Sequence, residues 1–64
     1  MLVKYKNFLI ITDIAEKSII VHLWEGTRYI GWDMGFKSHA DAIARVKSLI
    51  ESGDDNWRLE LVPF

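Results

Sequence analysis

The chain holds two histidines, His22 and His39, and no cysteine, so histidine- or thiolate-based chemistry would have to start from those two rings. Nucleophilic catalysis needs a base within hydrogen-bond reach of a nucleophile, with a third group holding the base. No such set can be assembled from this sequence. A metal centre needs ligands at short, recurrent spacing, and neither an H-x-H nor an H-x-x-x-H step occurs. His39 falls where a helix is expected to begin, a place that suits a structural or solvated ring rather than a catalytic one. Asp54-Asp55 follows the expected helix stop, where a solvated turn suits the pair better than a cation site. Gly26, Gly31 and Gly35 do not form a phosphate-cradling loop, since their spacing places two of them within or beside one strand and no Gly-Lys-Ser/Thr step follows. The residues therefore point to a non-enzymatic chain with no cofactor and no metal.

What remains is an aromatic concentration. The stretch WEGTRYIGWDMGF, residues 24 to 36, sets two tryptophans, a tyrosine, a phenylalanine, an isoleucine and a methionine around three glycines. Such rings either fill a core or form a contact surface, and the elements that carry them decide which.

Composition limits those elements. A chain of 64 residues holds one domain and one core, and a domain of that size buries only about 60% of the surface its unfolded chain exposes. Half the residues are apolar, with a single proline, which argues against disorder. Without cysteine there is no disulfide, so packing or association must supply stability. Eight basic residues against nine acidic ones give none of the positive excess typical of nucleic-acid or anionic-membrane binders. The apolar run near the N-terminus is too short for a signal peptide or a membrane span. The sequence is read as one complete unit, residues 1–64, cytoplasmic and without membrane contact.

Residues 3–12 are rich in β-branched and aromatic types, and after the polar loop 13–17 a second run, 18–24, has the same character. Glu25-Gly26 offers a tight turn into a third strand over 27–34. Ser38 can cap a helix whose third position is Asp41, and Gly53 suits its C-terminal stop. Within it Ala42, Ile43, Val46, Leu49 and Ile50 form one apolar stripe, while Asp41, Arg45, Ser48, Glu51 and Ser52 take the wet side. Residues 57–61 alternate, with Trp57, Leu59 and Leu61 on one side of a last strand and Arg58 and Glu60 on the other. The expected fold is α+β: a four-stranded, twisted, mainly antiparallel sheet in the order βββαβ, with one helix packed on one face. The last strand lies beside the first or the third, and the apolar character of the first on both sides favours the first.

A two-residue turn at Glu25-Gly26 sets Val21 opposite Ile30 and Ile19 opposite Trp32. A five-residue loop at 13–17 sets Leu9 opposite Val21 and Ile11 opposite Ile19. Both registers place Val3, Tyr5, Leu9, Ile11, Ile19, Val21, Leu23, Ile30, Trp32 and Met34 under the helix. They place Phe8, Ile10, Ile20, His22, Trp24 and Tyr29 on the other side, with Lys4, Lys6 and Arg58. One helix, about 10 to 12 Å across, cannot cover both sides of a sheet roughly 19 Å wide. The second face is therefore expected to be bare and apolar, of a size that monomers seldom leave exposed.

The junction Gly35, Phe36, Lys37, Ser38 and Ala42 resembles the strand-to-helix step of small meander-plus-helix domains such as the arm-site-binding modules of integrases. Those modules are basic on their reading face and this chain is not, so no residue role is carried over. The sequence reading is a protein–protein interaction module. It self-associates as a homodimer, or docks on a larger protein as a regulator or accessory subunit, through Phe8, Ile10, Ile20, His22, Trp24 and Tyr29. The alternative is a single-stranded nucleic-acid-binding module that stacks bases on Phe8, Trp24 and Tyr29, with Lys4, Lys6 and Arg58 following the phosphates.

Overall fold

The computed structural model describes residues 1–52. Four strands, β1 (Leu2–Tyr5), β2 (Phe8–Ala15), β3 (Ser18–Glu25) and β4 (Arg28–Phe36), precede one helix, α1 (His39–Glu51). The strands form a single antiparallel sheet in the order β1-β2-β3-β4. The α+β class with four strands and one helix holds, but the order through the described residues is ββββα. The segment expected as one strand over 3–12 is two, folded back at Lys6-Asn7. The expected last strand with Trp57, Leu59, Leu61 and Arg58, its neighbour in the sheet, the Asp54-Asp55 turn and the Gly53 stop all lie outside the described residues. Among the described residues no helix is long and apolar enough to cross a membrane.

Three two-residue turns, Lys6-Asn7, Glu16-Lys17 and Gly26-Thr27, join the strands. Each has its first residue at positive φ, 54° at Lys6, 58° at Glu16 and 63° at Gly26, whereas the second residues are not in that region. That is the φ pattern of the type II′ turn, whose twist matches the right-handed twist of the flanking strands. Only the third turn carries the glycine that usually marks such a position.

Pairing decides which side chains share a face, and here the expected registers give way. The loop expected over 13–17 is only Glu16-Lys17, and β2 runs on through Asp13, Ile14 and Ala15. Leu9 consequently lies opposite Trp24, Ile10 opposite Leu23 and Ile11 opposite His22. A shift of odd length sends every side chain of a strand to the other face. Phe8 and Ile10 belong on the helix side, and Leu9 and Ile11 on the open side, the reverse of the expected placement. In β4 a register shift leaves Ile30 as an extra residue between the Trp24–Tyr29 and Leu23–Gly31 pairs. A second leaves Gly35, at φ 99°, between Ile20–Met34 and Ile19–Phe36. Such bulges change the alternation locally. Ile30 stays with the core, but Trp32 pairs with His22 and Met34 with Ile20, which puts both on the open face rather than under the helix.

The helix lays Ala42, Ile43, Val46 and Leu49 on Ile10, Ile19, Val21 and Leu23, with Val3, Tyr5, Phe8, Ile30, Phe36 and Ile50 packed around them. Burying each large aliphatic chain contributes on the order of 1.5–3 kcal/mol, so this layer is the main source of stability. Ser38 caps the helix as expected: its extended backbone lets the hydroxyl accept from the Asp41 amide at 3.1 Å. At the other end the Ser52 hydroxyl donates to the Leu49 carbonyl at 2.7 Å. Three side-chain contacts, one at its start and two at its end, align the helix on the sheet. Thr12 Oγ1 and His39 Nδ1 are 2.6 Å apart at its start. At its end the Glu51 carboxylate accepts from the Tyr5 hydroxyl and pairs with Lys6 Nζ at 2.6 Å.

Candidate interaction surface

The side of the sheet away from α1 is a grid of cross-strand rows. The middle row is Leu2, Ile11, His22 and Trp32; below it run Lys4, Leu9, Trp24 and Tyr29; above it run Asp13, Ile20 and Met34. Side chains at such directly opposed positions lie about 4.5–5.5 Å apart at Cβ, so the apolar members form one continuous patch. Among the described residues no element lies over it. Ile11, Ile20, Trp24, Tyr29 and Trp32 are half-buried by one another, while Met34 and Leu2 stand 42% and 63% exposed at its borders.

The aromatic end of the patch has defined internal geometry. The Trp24 and Tyr29 rings meet edge to face, 5.0 Å between centroids at 65°, an arrangement that the ring quadrupoles favour. The Tyr29 hydroxyl lies 2.8 Å from His22 Nδ1, and the two rings are tilted by 41° at 6.0 Å. Two polar groups on an apolar surface thus satisfy each other, which lowers the cost of covering them. Burial holds the Tyr29 phenol above its ordinary value, so it stays neutral at physiological pH. Ile11, His22, Trp24 and Tyr29 together line a shallow, mainly apolar concavity of about 480 Å³.

Of the six residues expected to make contacts, Ile20, His22, Trp24 and Tyr29 share this face. The other two do not: Ile10 is 0% exposed in the core, and Phe8 packs against that core from the helix side. Their places in the grid are taken by Ile11 and Leu9. Trp32 and Met34 complete the surface, and the bulges that bring them there leave no mark in hydrophobic alternation. Of the expected cations, Lys4 stands in the lower row and Lys6 is tied to Glu51 at the helix end. Arg58 lies outside the described residues. Gly31 is buried opposite Leu23. His39 is part of the helix–sheet contact rather than of this surface. Among the described residues no group of three His, Cys, Asp or Glu gathers as a metal site would require. In comparisons with family models, curated proteins and solved structures, nothing matches the chain.

Proposed function

We propose that this chain is a non-enzymatic protein-interaction module of the cytoplasm, acting as a self-associating unit or as an accessory subunit or regulator docked on a larger protein. The observation that carries the reading is the side of the sheet that, among the described residues, no helix covers. It presents Ile11, Ile20, Trp24, Tyr29 and Trp32 in adjoining rows, whereas α1 is fully used on the other side. Rigid rings in a concave, apolar setting are the residue types that supply most contact energy at protein interfaces. Stacking of single-stranded bases on the same rings is the weaker alternative, because Asp13 shares the face with Lys4 and Lys6 is engaged by Glu51.

Trp24→Lys tests this reading. The substitution puts a cation into the patch without touching the core, so the fold is retained and protein contact is lost. Phosphate attraction would be kept or strengthened. Light-scattering mass and in-cell crosslinking of wild type against the variant decide it. An assembly present in the first and missing in the second supports the proposal. A wild type that is monomeric and crosslinks no more than the variant rejects it.

A further inference from the structure

We infer that the occupant of the open face is a second copy of this chain, stacked sheet to sheet about a two-fold axis that runs across the strands through the Ile11–His22–Trp32 row. This rests on the association reading above and adds the partner and its geometry.

The grid is symmetric about that row. On β2, Leu9 and Asp13 flank Ile11; on β3, Trp24 and Ile20 flank His22; on β4, Tyr29 and Met34 flank Trp32. Turning one copy over about the row lays the upper row of each on the lower row of the other. Ile20 then meets Trp24, and Met34 meets Tyr29. Met34, exposed at one border, is thereby directed at the other copy's concavity between Trp24, Tyr29 and His22. A flexible thioether against ring edges is a favourable filling for such a hollow. Each contact occurs twice, as an isologous interface requires.

Charge selects the same arrangement. Among the described residues the rows contain one cation, Lys4, at the lower border of β1, and one anion, Asp13, in the upper row on β2. Within one chain they are far apart, since Asp13 lies four residues beyond Leu9, the partner of Lys4, a distance of roughly 13 Å. Across the two-fold, Asp13 lies over Leu9 of the other copy, so its lateral offset from Lys4 falls to one strand spacing of about 4.8 Å and the two side chains reach toward each other between sheets about 10 Å apart. Both charges find an opposite neighbour, and the face is its own electrostatic complement. A strongly basic or acidic partner would leave one of them opposed by like charge. The rows cover on the order of 400 Å² per copy, about half of a standard interface, which places the pair among weak, transient associations.

The test is sedimentation equilibrium of the full chain from about 10 µM to about 1 mM, a range that spans such affinities. Wild type, Lys4→Asp, Asp13→Lys and an equimolar mixture of the two variants are compared, with far-UV circular dichroism confirming that each variant is folded. Either variant alone faces like charge twice and is expected to dimerise at least fivefold more weakly than wild type. In the mixture both contacts are opposite again, and a heterodimer within about twofold of wild-type affinity is expected, because surface pairs of this kind act largely through local charge. Wild type that remains monomeric throughout, or a mixture no tighter than its components, overturns the inference. A wild type that dimerises and is dissociated by Trp24→Lys, but shows no rescue in the mixture, overturns this two-fold arrangement while leaving the association reading intact. A monomeric wild type that loses a heterologous crosslink with Trp24→Lys does the same for the choice of occupant.

Discussion

Tyr29 and Trp32 lie on the same face of the sheet although they are three positions apart, because the extra residue Ile30 is absorbed in a bulge opposite Leu23 and Trp24. Simple alternation would put one ring on each side. The bulge turns Ile30 into the core and leaves both rings on the open face, and it is this local irregularity in β4 that assembles the aromatic end of the surface. Trp32 thereby becomes the cross-strand neighbour of His22, and Tyr29 stays within hydrogen-bond reach of the same imidazole.

That register makes a sharp contrast between Ile10 and Trp32. Ile10 is fully enclosed between the sheet and α1, so Ile10→Ala is expected to cost about 2–5 kcal/mol, a large fraction of what a domain this small possesses. Trp32→Ala removes a larger side chain from a half-exposed position and should cost clearly less in the monomer. Urea unfolding followed by circular dichroism measures both. If the tryptophan variant is the more damaged of the two, β2 and β4 pair in the alternative register.

The turns offer a second check. Glu16 occupies the left-handed region at φ 58°, which costs a residue with a Cβ about 1–2 kcal/mol. Glycine avoids that cost and gives back only part of it in unfolded-state entropy. Glu16→Gly is thus expected to raise stability by about 0.5–1 kcal/mol. Gly26→Ala should lower it by about 1 kcal/mol, and for a purely conformational reason, because a Cβ there meets nothing within 4 Å. Equilibrium melts of the two variants should move in opposite directions.

These turns also show what the sequence made legible. The start of the helix and its two sides are legible in the sequence, since Ser38, the stripe from Ala42 to Leu49 and the wet side from Asp41 to Glu51 follow local chemistry that tertiary contacts do not override. The face of β2 is not. Leu9, Ile10 and Ile11 are apolar without alternation, so their parity depends on turn lengths, and two of the three turns begin with Lys6 and Glu16 rather than glycine. The exchange of Phe8 and Ile10 for Leu9 and Ile11 therefore shows only in the pairing. The placement of Trp32 and Met34 is equally unmarked, because a bulge is chosen by packing on both sides of the sheet rather than by the residues that form it.

At the end of α1, acid should release one tether. The Glu51 carboxyl is held below its ordinary value of 4.5, first by the Lys6 ammonium and then by the Tyr5 hydroxyl. A depressed carboxylate contributes stability that is present above its unfolded value and is lost as pH falls through the lower, folded one. Lys6 is raised above 10.5, chiefly by the same carboxylate, so its share is present below that value and is lost as pH rises through the higher, folded one. Stability measured by chemical denaturation should therefore decline below about pH 4.5, with the decline shallower in Glu51→Gln. Equal slopes in wild type and variant would mean that the contact does not persist in solution. Because the pair is well exposed, the effect should also shrink with added salt.

The start of the helix depends on a contact of another kind. Thr12 is 2% exposed on the helix side of β2, and its hydroxyl meets His39 Nδ1 at 2.6 Å and the Met1 carbonyl at 3.4 Å. Thr12→Val keeps the shape but removes the hydroxyl, leaving a ring nitrogen of the first helical residue facing an apolar methyl. The expected loss is about 1–2 kcal/mol, the cost of leaving a largely desolvated polar atom without a partner. Thr12→Ser should lose less, since it retains the oxygen. A double-mutant cycle with His39→Ala isolates the pair. In the His39→Ala background the Thr12→Val penalty should fall by at least half, because the imidazole that needed the hydroxyl is gone. A penalty unchanged in that background would assign the role of Thr12 to the Met1 carbonyl and to packing, and would leave the alignment of α1 to its apolar stripe and the Glu51 end alone.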